Sequence, residues 1–121
     1  MDHAIDRLHL AVLGARDGEA AGSRTAKLLA EGIAKMAKKV AEEAVEVGLD
    51  AVRGDREQVI RESADLMYNL VVLWTEAGVT PAHVWAEMER REQLYGIAEK
   101  LAKNKSHGDK PPPDTTPSAA A

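Results

Sequence analysis

Apolar positions recur along most of this chain at helical spacing. Ile5, Leu8 and Val12 stand three and four residues apart and predict a first helix over 2–16 with one apolar stripe. Ile33, Met36, Val40, Ala44, Val47 and Ala51 fall within an arc of about 80° on a helical projection. They predict a long helix over 33–52 with that arc as its core face. A third helix is predicted over 56–77, and its second half is rich in large apolar residues. No run of alternating β-branched residues occurs, so no strand is assigned.

Punctuation residues divide these helices. Asp17-Gly18 and Gly22 mark a loop, Ser23 caps a short helix reaching about Ala30, and Gly32 marks a break or bend. Arg53-Gly54-Asp55 ends one long helix and caps the next, and Gly78 ends the third. Thr80-Pro81 opens another helix, with Pro81 at the favoured first position. It continues to about Leu94, with Gly96 as a break before a last turn to Leu101. The short 53–55 connection makes the two long helices antiparallel neighbours. The expected fold class is all-α, an antiparallel helical bundle of four to five helices.

Composition sharpens the boundaries. From Asn104 the sequence reads NKSHGDKPPPDTTPSAAA, with four of the five prolines and no large apolar residue. It is expected to be a disordered low-complexity tail over 104–121, leaving one domain over 1–103. The absence of cysteine excludes a disulfide framework and thiolate metal sites. The start MDHAIDRLHL does not read as a secretory signal, and no apolar stretch has transmembrane length. A cytoplasmic protein is expected. A net charge of −4, no Phe, two Trp and two Tyr argue against a nucleic-acid partner.

The polar positions carry the chemistry. On helix 33–52, Glu42, Glu43, Glu46 and Asp50 share an arc of about 100°, with Lys35 and Lys39 on the same stripe. Like charges one turn apart cost roughly a few tenths of a kcal/mol per pair. A solvated acidic face with local ion pairs to Lys35 and Lys39 is the simplest account of such a cluster. Helix 56–77 weighs against it. Gln58, Glu62, Asp65 and Asn69 form a polar seam about 60° wide, flanked by Leu66, Leu70 and Leu73. A solvated face fits Glu62 alone. It fits Asp65 poorly, because the turns that follow look buried.

Two antiparallel helices can turn these strips toward each other, so that carboxylate oxygens converge. Hard divalent cations want oxygen ligands of this kind, and Mg²⁺ takes substrate phosphates as further ligands. Zinc would call for His or Cys, and a di-iron site for Glu-x-x-His. Neither pattern lies on these two helices.

Glu43-x-x-Glu46, fifteen residues, then Glu62-x-x-Asp65 resembles the motif of the all-α nucleoside triphosphate pyrophosphohydrolases, the MazG-like superfamily. The closer similarity is to the phosphoribosyl-ATP pyrophosphohydrolase family of histidine biosynthesis. It is carried by Ser23-Arg-Thr25-Ala-Lys27, Gly32-x-x-Lys35-x-x-x-Lys39-Val-x-Glu42-Glu43-Ala-x-Glu46, Gly54-Asp55, Glu62-x-Ala-Asp65-Leu-x-Tyr68 and Arg90-Arg91. It spans about residues 4–92.

The resemblance implies Mg²⁺-dependent hydrolysis of phosphoribosyl-ATP to phosphoribosyl-AMP and pyrophosphate, in a homodimer. It implies Glu43, Glu46, Glu62 and Asp65 as metal ligands, with Glu42, Glu43 and Glu46 as the catalytic acids. Glu42 would support a second metal or orient water. Ser23, Thr25, Lys27, Lys35, Lys39, Asn69 and Arg91 are the implied substrate-binding residues. This chain departs from the usual family pattern at three places. Arg24 replaces a Tyr, Ala41 replaces a Gly, and Asn69 stands where a His is common.

Two other readings are open at this point. One is a house-cleaning enzyme acting on another nucleoside triphosphate. The other is a non-enzymatic helical adaptor whose acidic strips meet Lys39 and Arg91 of a second copy. The wide apolar arcs favour a dimer on physical grounds in any of the three. His3, His9 and His83 are expected at the surface, and Met67 and Trp74 in the core.

Overall fold

The structure is a computed structural model, and it describes residues 3–18 and 23–95. The described residues form five α-helices and no strand: α1 (Ala4–Arg16), α2 (Arg24–Glu31), α3 (Ile33–Val52), α4 (Arg56–Glu76) and α5 (Pro81–Tyr95). The expected tail, Gly96 and the turn to Leu101 lie outside the described residues.

Local chemistry sets the helix ends. His3 Nδ1 accepts from the Ile5 N–H and caps α1, and Ser23 Oγ accepts from the Ala26 N–H and caps α2. Gly32 ends α2 and begins α3 with φ 99° and ψ 166°, a backbone region reserved for glycine, so the chain changes direction there without a loop. Gly54, at φ 76°, makes the turn between the long helices. Asp55 Oδ1 then accepts from the Gln58 N–H and caps α4.

The chain divides into two units after Pro81. In the first, α3 and α4 make the most extensive interhelical contact, as two long helices joined by a tight turn must. α1 packs on α4, and α2 packs against α3, α1 and α4. The core is Val12, Leu28, Met36, Val71 and Val72, with Ile5, Leu8, Leu29, Tyr68, Leu73 and Trp74 packed against it. The α1 stripe therefore faces inward as its spacing predicts. Thr75 is buried with it and donates to the Val71 carbonyl at 2.9 Å. In the second unit, α5 carries Glu87 bonded to both Arg90 and Arg91.

The α3 core face differs from expectation. Met36 is fully buried, Val40 and Val47 are half-buried, and Ile33, Ala44 and Ala51 are exposed. α3 packs mainly on α4, and the eight-residue α2 covers only part of it, so its periodic apolar face is not buried along its whole length. Val45, Leu49 and Val52 on α3 and Ile60 on α4 are exposed as well.

Candidate metal centre

α3 and α4 bring three carboxylates together. Oxygens of Glu43, Glu62 and Asp65 all lie within 4.8 Å of one another. Glu43 projects from the middle of α3, and Glu62 and Asp65 sit on the adjoining turn of α4, three residues apart and therefore on one face. Glu43 and Glu62 are half-buried. Asp65, expected among buried turns, is exposed. The burial predicted around it begins one turn later, at Asn69, Val71 and Val72.

The electrostatics of this group are unfavourable without a cation. Glu43 Oε1 is buried and receives no hydrogen bond from the described residues. The Glu62 carboxyl is held above its usual range. The largest cause is its close approach to Glu43, followed by burial and by the charges of Glu43, Asp65 and Asp50. Three oxygen donors, one of them orphaned, are the chemistry a divalent cation requires. These residues fit a hard divalent ion.

The other anticipated residues fall into groups. Glu42 and Glu46 are exposed on α3, and Glu46 lies outside the group of three. Lys39 is half-buried one turn before Glu43, and Lys35 is exposed one turn further back. Ser23 is occupied as the α2 cap, and Lys27 is exposed on the first turn of the same helix. Thr25 Oγ1 and the Tyr68 hydroxyl share a hydrogen bond of 2.6 Å. Arg91 Nε donates to Glu87 Oε2 at 2.9 Å on its own helix.

Asn69 is buried, 3% exposed, and its amide nitrogen donates to the Asp65 carbonyl at 2.9 Å. It thus ties the backbone beneath a carboxylate of the trio, and its own Oδ1 has no donor among the described residues. Two features have no assigned role in the sequence reading. Tyr68 joins α4 to α2 through Thr25 and lies beneath the Arg24 guanidinium, with Cζ 5.8 Å from the ring centre. Asp50 is buried at 6% exposure near the end of α3. Its seven-residue spacing from Glu43 was the available signal.

The profile of the family described as phosphoribosyl-ATP pyrophosphohydrolase matches residues 6–92. The chain belongs to the phosphoribosyl-ATP pyrophosphohydrolase family. It is 65% identical over 105 residues to phosphoribosyl-ATP pyrophosphatase 2 of Rhodopseudomonas palustris, covering 87% of this chain and 80% of the relative. It is 62% identical over 104 residues to the protein of the same name from Bradyrhizobium diazoefficiens, covering 86% and 78%. A phosphoribosyl-ATP pyrophosphatase of Granulibacter bethesdensis is 50% identical over 101 residues, covering 84% and 63%. The matched segment contains α2, α3 and α4, hence the whole carboxylate group. Membership in a pyrophosphohydrolase family makes the chain an enzyme of phosphoanhydride hydrolysis and sets aside the adaptor reading.

Proposed function

We propose that this protein hydrolyses phosphoribosyl-ATP to phosphoribosyl-AMP and pyrophosphate, the second step of histidine biosynthesis, with Mg²⁺ as its metal. The observation that carries the reading is the convergence of Glu43, Glu62 and Asp65 inside the segment that matches the family. Glu43, Glu62 and Asp65 would hold the ion, and Glu46, one turn from Glu43 and exposed, is free to rotate in as a fourth ligand. When bound, the cation neutralises charge on the triphosphate and the leaving pyrophosphate and lowers the pKa of a coordinated water.

The protein's own groups do the rest. Glu42 and Glu46 stand exposed beside Glu43, where they can orient water and accept its proton. Water supplies the new P–O bond as the α–β anhydride bond breaks, and pyrophosphate carries away the bridging oxygen. Lys35 and Lys39, on the same helix and N-terminal to the carboxylates, meet the phosphates. Arg24, at the start of α2, is held over the Tyr68 ring, three residues after Asp65 on α4. Ser23, Thr25, Asn69 and Tyr68 shape the site through the contacts described, and Lys27 is a further phosphate contact.

The working form is proposed to be a cytoplasmic homodimer. Val45, Leu49 and Val52, at helical spacing on α3, and Ile60 on α4 expose an apolar strip of the kind that marks association. Among the described residues no helix is long and apolar enough to cross a membrane.

The decisive experiment measures pyrophosphate release from phosphoribosyl-ATP and from a panel of nucleoside and deoxynucleoside triphosphates, with and without Mg²⁺. Mg²⁺-dependent release from phosphoribosyl-ATP is expected. Preference for a deoxynucleotide would replace this substrate assignment with that of a house-cleaning enzyme. Light scattering during size exclusion checks the dimer.

A further inference from the structure

Arg24 is the first residue of α2 and stands between two anchored neighbours. Ser23 caps the helix through its Oγ, and the Thr25 hydroxyl is bonded to Tyr68 on α4. The Arg24 guanidinium lies over the Tyr68 ring, with Cζ 5.8 Å from the ring centre, within the range of a cation–π contact. An exposed arginine ordinarily moves among many rotamers. This one has its backbone fixed on both sides and one face of its fork against a ring.

The direction of the Tyr68 side chain says where that fork stands. Side chains of an α-helix lean toward its N-terminus, so the Tyr68 ring lies over the turn of α4 that carries Asp65, three residues earlier. The guanidinium above the ring is therefore set beside the exposed Asp65, one of the three converging carboxylates. No ion pair joins the two, and no carboxylate among the described residues takes the Arg24 N–H groups. Lys27, three residues further along α2 and exposed, adds a second cation on the same side of that helix.

A fixed cation beside a carboxylate that it does not neutralise suits a ligand with both charges: metal for the carboxylate, phosphate for the guanidinium. We propose that Arg24 is a substrate-binding residue of this chain, its fork taking oxygens of the triphosphate while that group sits at the cation centre. This rests on the Mg²⁺-dependent pyrophosphohydrolase reading above. The guanidinium matches phosphate geometry with two parallel N–H donors, which neither a lysine nor the family's usual tyrosine at this position supplies.

Calorimetric titration of the whole protein with Mg²⁺ alone, and then with inorganic tripolyphosphate in the presence of Mg²⁺, tests this. The variants are Arg24→Gln and, as a charge-matched control on an 83% exposed side chain at the start of α4, Arg56→Gln. Arg24→Gln is expected to weaken tripolyphosphate binding about 10-fold, to raise KM for phosphoribosyl-ATP, and to leave Mg²⁺ affinity equal or tighter. These opposite directions separate an anion contact from a loosened fold, which would weaken both ligands together. Arg56→Gln should change neither. Tripolyphosphate affinity within twofold of wild type overturns the proposal, even if KM for phosphoribosyl-ATP rises, and so does a matching loss of Mg²⁺ affinity. If Arg24→Gln does not fold, Arg24→Tyr decides by the same measurements. Wild-type protein that neither binds Mg²⁺ nor hydrolyses phosphoribosyl-ATP would overturn the function reading itself, whereas a wild type that does both, with an unaffected variant, removes only Arg24.

Discussion

The Thr25–Tyr68 hydrogen bond ties α2 to α4, the helix that carries Glu62 and Asp65. It joins the first turn of α2 to α4 across 43 residues of sequence, at 2.6 Å between two half-buried hydroxyls. A neutral hydrogen bond contributes about 0.5–1.5 kcal/mol net. Tyr68→Phe removes it and keeps the ring under Arg24. Thr25→Val removes it from the other side and keeps a β-branched residue in α2, so helix propensity changes little.

A double-mutant cycle should therefore return a coupling of about 1 kcal/mol. That corresponds to roughly 4–8 °C in melting temperature for a domain of this size. Urea unfolding of wild type, both single variants and the double variant measures it. The single variants should also raise KM more than they lower kcat, because α2 loses its register against α4 while the carboxylates stay in place. Independent sites add to within about 0.3–0.5 kcal/mol. A coupling inside that margin would refute the bond, and with it the idea that Tyr68 positions α2.

Other outcomes follow from the same geometry. Mg²⁺ at about a hundred times its Kd should stabilise wild type by about 2.7 kcal/mol, and Asp65→Asn should reduce the accompanying rise in melting temperature. An unchanged rise would remove Asp65 from the ligand set. Met36→Ala, at a fully buried position where α3 meets the other helices, should cost about 2–5 kcal/mol in denaturant unfolding. Glu62 binds its proton more tightly folded than unfolded, so it destabilises the metal-free protein at pH above its raised titration point. Glu62→Gln should thus stabilise the metal-free protein near neutral pH. That advantage should shrink as the pH falls through the raised value toward the ordinary 4.5, and a pH-independent advantage would contradict the assignment.

Helix positions were legible in the sequence because their causes are local. Spacing such as Ile5, Leu8 and Val12, caps such as Ser23 and Asp55, and glycines such as Gly32 and Gly54 act within a few residues. The two carboxylate pairs were legible for the same reason: residues three apart share a helix face whatever the rest of the chain does. The conflict between charge and burial was expected at Asp65, which is exposed; the structure instead puts it at Glu43, whose Oε1 is buried without a donor among the described residues.

What the tertiary structure decided is which faces have neighbours. A periodic pattern says that Ile33, Met36 and Ala44 share a face, but only the placement of α1 and α2 buries Met36 and leaves the other two in solvent. Likewise it is the crossing of α3 on α4 that selects Glu43, Glu62 and Asp65 from a longer set of acids and leaves Asp65 exposed. Asp50 is buried near the end of α3 with no donor to its Oδ2 among the described residues, and the packing of α2 on α4 sets Tyr68 against Thr25. Each of these depends on the distance between chain segments far apart in sequence. Helical periodicity fixes angles around one axis and carries no information about what lies across the gap.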